Sequence, residues 1–63
     1  MTLTAADLET LFDELAQAID RVGPARQSLY LTKLTLLLAD RLGDRDAVRQ
    51  AMATAQLQLD DAN

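Results

Sequence analysis

Hydrophobic positions recur along this chain at helical spacing in three stretches, each closed by a glycine or by the end of the sequence. In the first, Leu8, Leu11, Phe12, Leu15, Ile19 and Val22 follow the three- and four-residue steps of one helical face. Glu9, Asp13, Glu14, Gln17, Asp20 and Arg21 fall away from that stripe. Thr4 stands before it with Asp7 three residues on, a variant of the capping box, and Leu3 and Leu8 take the staple positions. The pattern predicts an amphipathic helix over about 5–22 with an acidic outer side.

Gly23-Pro24 marks the first break and Gly43-Asp44 the second. Glycine after a last helical turn adopts the left-handed conformation cheaply. Pro24 suits the first turn of a new helix, where its missing N–H is not needed. Asp44 suits an N-cap, with free N–H groups at Asp46 and Ala47 to accept from. A second helix is therefore expected over about 24–42 and a third over about 45–59, with residues 60–63 frayed.

The second helix differs in kind from its neighbours. Leu31, Leu34, Leu38 and Leu42 make one stripe, and Tyr30, Leu34, Leu37 and Arg41 an adjacent one. At about 100° per residue, Leu29 and Leu36 stand roughly opposite Leu31 and Leu38. Arg26, Lys33 and Asp40 leave a narrow polar strip. A helix apolar nearly all round needs cover nearly all round. The third helix has Val48, Ala51, Met52, Ala55 and Leu59 on one face, with Leu57 pointing elsewhere. Short connections predict antiparallel neighbours, so the expected fold is an all-α, three-helix up-down-up bundle forming a single domain over residues 1–63.

Length turns this pattern into an expectation about partners. A domain of about 60 residues buries only roughly 60% of the surface that its unfolded chain exposes. Small scaffolds gain stability from disulfides, metals or oligomerisation. The 63 residues contain no cysteine and no histidine, which leaves the last. With one Phe and one Tyr, the core must be mostly leucine. Completion by a second copy or another protein is expected. Leu29, Tyr30, Lys33, Leu36 and Leu37 are the expected interface, leucine supplying area and Tyr30 an anchor.

Composition narrows the chemistry. No histidine or thiol is present to activate a hydroxyl, and Ser28 and Lys33, five apart, point in different directions on a helix. No enzyme activity, cofactor or metal is expected. Asp40, Asp44 and Asp46 lack the spacing of a calcium loop and have Arg41 and Arg45 among them. Capping and helix-dipole matching account for these acids. A net charge of −4 argues against a nucleic-acid footprint. Arg41, Arg45 and Arg49 form a basic patch that keeps a small nucleic-acid-binding regulator as the alternative. The longest apolar run, residues 36–39, is far short of a membrane span of about 20 residues. The N-terminus lacks the basic and apolar regions of a signal peptide, so a cytoplasmic location is expected.

The middle of the chain carries a resemblance. Val22-Gly23-Pro24-Ala25-Arg26, then residues 29–40, then Leu42-Gly43-Asp44, make a leucine-rich helix between two glycine turns. This resembles a family of short bacterial proteins, domain-of-unknown-function family 2783. The family has no assigned activity, so no residue role is transferred. The resemblance implies an accessory role, since such proteins are encoded near flavin-dependent aromatic hydroxylases.

Overall fold

The computed structural model describes residues 2–61. The fold is all-α, with three helices and no strand among the described residues: α1 (Ala5–Val22), α2 (Gln27–Leu42) and α3 (Arg45–Asp61). The chain divides into two units, Met1–Lys33 and Leu34–Asn63. The first holds α1 and the start of α2, and the second holds the rest of α2 and α3.

Helix α1 begins where its capping residues demand. The Asp7 N–H donates to Thr4 Oγ1 at 3.0 Å, and the Thr4 N–H donates to Asp7 Oδ2 at 3.2 Å. Two N–H groups that would lack helical partners are thereby satisfied. Helix α3 begins on the same logic, with the Ala47 N–H donating to Asp44 Oδ1 at 3.0 Å.

The two glycine turns differ in a way that their neighbours explain. Both glycines have positive φ, +84° at Gly23 and +69° at Gly43. Gly43 donates its N–H to the Ala39 carbonyl at 3.0 Å, closing α2. Gly23 combines its φ with ψ 159°, outside the left-handed helical region expected for it. The residue before a proline is pushed toward extended ψ. Positive φ with extended ψ is a region essentially reserved for glycine. Pro24 thus dictates the shape of the turn as well as its position.

Pro24 also delays the second helix. Residues Pro24–Arg26 form a 3₁₀ turn, tied by the Arg26 N–H to the Gly23 carbonyl at 3.2 Å. The α-helix starts at Gln27, not at residue 24 as the spacing suggested. Tight turns of this kind are common at helix N-termini. Helix α3 runs past its expected end at Leu59 and includes residues 60 and 61. No glycine or proline follows to stop it, and Ala, Gln and Leu favour continuation. The expected fraying of residues 62 and 63 falls outside the described residues.

Coverage gathers around the two turns. In the first unit Leu15, Ala18, Ile19 and Val22 of α1, with Tyr30 and Leu31 of α2, are half-buried. In the second unit Leu34, Ala39, Ala47 and Val48 are half-buried. No described residue is fully buried, so neither unit encloses the leucine core that the composition calls for.

The turn geometry makes two expectations. Gly43→Asn should cost well under about 1 kcal/mol, because asparagine tolerates the left-handed region. Gly23→Asn should cost about 1–3 kcal/mol, because no side chain suits its φ and ψ. Thermal melts followed by circular dichroism distinguish them, and equal costs would refute this account. Separately, Asp44→Ala should lose about 1 kcal/mol of helix stability through the missing cap. Faster amide exchange across residues 45–48 would report that loss.

Candidate docking surfaces

The first unit contains a hollow of about 340 Å³, lined by Arg21, Val22, Arg26, Leu29, Tyr30 and Lys33. Its construction follows from the turn. Arg21 and Val22 are the last two residues of α1, and the chain continues through Gly23 and the 3₁₀ turn into α2. Arg26, Leu29, Tyr30 and Lys33 then recur at helical spacing, which puts them on one side of the segment that follows. Three cations share its lining with Val22, Leu29 and Tyr30, and no acidic residue is among them. Such a hollow can take a carboxylate-bearing apolar segment. Arginine offers paired donors to a carboxylate, and tyrosine offers both ring area and a hydroxyl.

The second unit carries two further concavities, one on each side of the Gly43 turn. One, of about 320 Å³, is almost wholly apolar and includes Leu38, Leu42, Val48, Ala51, Met52 and Ala55. The alanines keep α3 low there and leave room for side chains from elsewhere. The other is broader, about 640 Å³, and includes Leu36, Asp40, Asp44, Arg45, Arg49 and Met52. Its charges are mixed, so it has no strong preference for one sign.

The structure sorts the five expected interface residues by surroundings. Leu29, Tyr30 and Lys33 come together in the first hollow. Leu36 lines the mixed-charge concavity of the second unit. Leu37 lines none of these three surfaces. Leu29, Leu36 and Leu37 are 53%, 65% and 59% exposed. Arg21, Val22 and Arg26 were missing from the expected set. The spacing of Arg26 to Lys33 was a usable signal for Arg26. Arg21 and Val22 needed the turn geometry, because no periodicity carries across Gly23-Pro24.

The arginines considered for nucleic acid are divided. Arg45 and Arg49 share their concavity with Asp40 and Asp44, while Arg41 does not line it. A phosphate approaching the two arginines also approaches two carboxylates, which oppose it. Asp40, Asp44 and Asp46 form no metal-holding cluster among the described residues, and Asp44 is committed as an N-cap. No helix among the described residues is long and apolar enough to cross a membrane. A labelled DNA duplex is expected to show no mobility shift with the protein even at about 50 mM salt, where phosphate binding is strong. A shift that disappears as salt rises would restore the nucleic-acid alternative.

Comparison with known proteins identifies no relative: no family model, curated protein or solved structure matches the chain.

Proposed function

We propose that this chain is an acidic helical association module without catalysis of its own. It pairs with a second copy or serves as an accessory subunit of a larger enzyme. The observation that supports this reading is the absence of any fully buried described residue in a chain that is 49% hydrophobic. A chain of 63 residues has little surface to bury, and it has no cysteine for a disulfide and no histidine for a metal. Burying one exposed leucine is worth about 1.5–3 kcal/mol, so covering several offsets the entropy lost on association.

Helix α2 is the centre of this reading. Leu29, Tyr30, Lys33, Leu36 and Leu37 offer a tyrosine anchor, aliphatic area and one cation for orientation. The resemblance to family 2783 supports the accessory form and points to a flavin-dependent hydroxylase as the larger enzyme. No nucleic acid, membrane or cofactor enters this reading, and its setting is cytoplasmic.

Leu36→Asp tests it. A carboxylate placed in an apolar interface costs both the leucine's burial and its own desolvation, together above about 3 kcal/mol. The assembly mass measured by light scattering should fall, or a co-purifying protein should be lost, by a factor of about 100 or more in affinity. The helical circular dichroism of the chain should persist. An assembly that tolerates Leu36→Asp would reject the Leu36 side of α2 as part of the interface.

A further inference from the structure

The charges of the first unit are segregated along the chain. Residues 2–20 contain Asp7, Glu9, Asp13, Glu14 and Asp20 and no basic residue. Residues 21–33 contain Arg21, Arg26 and Lys33 and no acidic residue. The three cations are the ones that line the hollow beside the first turn. One helix therefore carries an acidic half at one end and borders a basic hollow at the other.

The acids near the start of α1 cannot fill the hollow of their own chain. At about 1.5 Å per residue, Asp7 lies about 21 Å and Glu14 about 10 Å from Arg21 along the helix axis. Both distances exceed the reach of a direct ion pair, which on a helix joins residues three or four apart.

Exposure along the apolar stripe shows the same division. Leu15, Ala18, Ile19 and Val22, toward the turn, are half-buried. Leu8, Leu11 and Phe12, toward the N-terminus, are 55%, 49% and 71% exposed. The uncovered half of the stripe is the half that carries the acids. Asp7 and Glu14, seven residues apart, run along one flank of the stripe at about 100° per residue. The segment thus combines apolar side chains with carboxylates beside them, matching the apolar and cationic lining of the hollow.

We infer that the occupant of the hollow is the N-terminal half of α1 from a second copy of this chain. The two copies lie with their α1 helices antiparallel about a two-fold axis near Ala18. The small side chain there permits close approach. Glu14 of the second copy then faces Arg21. Leu8 and Leu11 of the second copy lie over the turn, toward Arg26, Leu29, Tyr30 and Lys33. The two-fold operation repeats every contact, so the assembly closes as a dimer. Antiparallel helices also bring opposite ends of their dipoles together. This inference rests on the association reading and specifies its partner and surface.

Charge reversal tests it on the full chain. Arg21→Glu sets an acid in the hollow against the partner's Glu14, and Glu14→Arg sets a base against the partner's Arg21. Glu14 takes no part in the Thr4–Asp7 cap, so the start of α1 is preserved. Sedimentation equilibrium should show a wild-type dimer that weakens as salt rises, since exposed charges are screened. Each single variant should dimerise at least about tenfold more weakly. Mixing the two variants should restore a dimer, because each hollow then meets the complementary charge. Circular dichroism should show all of them equally helical. A wild-type chain monomeric at every salt concentration would overturn the inference, as would variants that stay dimeric or a mixture that stays monomeric. An assembly broken by Leu36→Asp and indifferent to both charge variants would overturn the α1 seat and leave the association reading standing.

Discussion

The constraint on which this structure depends is the amount of apolar surface that a short helix-turn-helix segment can cover. Each unit has about 30 residues and two helical pieces joined by a tight turn. Near the turns Val22, Tyr30, Ala39 and Val48 gain partial cover. Away from them nothing in the unit reaches Phe12, Leu57 or Leu59, which remain largely exposed. Backbone order here comes from helical hydrogen bonds and caps, which are local. Short isolated helices are marginal in water, and packing of apolar faces supplies most helical stability in proteins. The exposed leucines are therefore the part of the energetics that a partner would complete.

The turns convert this shortfall into particular surfaces. At Gly23 the following proline forces an extended ψ on a residue with positive φ, and Arg21 before the 3₁₀ turn and Arg26 within it line one hollow. Two cations separated by the helix end thereby share that lining with a third, Lys33, and a tyrosine. At Gly43 no proline follows, and α3 begins almost at once on its Asp44 cap. The second turn opens an apolar groove on one side and a mixed-charge concavity on the other. Different neighbours of two glycines thus produce two surfaces of different chemistry.

The proposed role follows from these surfaces. The three concavities described are lined mainly by aliphatic, tyrosine, arginine, lysine and aspartate side chains. Two of them combine apolar and charged side chains and the third is almost wholly apolar, compositions compatible with the proposed protein recognition. Charge at a rim steers approach and fixes register, while buried apolar area holds the complex. An acidic helix half and a basic hollow in one short unit supply both elements within a single chain.

The sequence by itself determined the elements. Apolar spacing located all three helices, Thr4 and Asp44 located two starts, and Gly23 and Gly43 located two ends, because helix formation and capping depend on neighbours within four residues. It misjudged the entry to α2 and the end of α3, where Pro24 favoured a 3₁₀ turn and nothing halted the last helix. Leu29, Tyr30 and Lys33 were legible as neighbours on one side of α2, and the periodicity of that helix suffices for them. Their union with Arg21 and Val22 was decided by the tertiary structure. That union depends on the direction in which the chain leaves Gly23, a property of two dihedral angles. Likewise the exposed state of Leu8, Leu11 and Phe12, against the half-covered Leu15 and Ile19, depends on where the fold supplies cover, which in this unit is beside the turn. Hydrophobic periodicity marks which side of a helix seeks cover. Whether that cover comes from the same chain is set by distance in space.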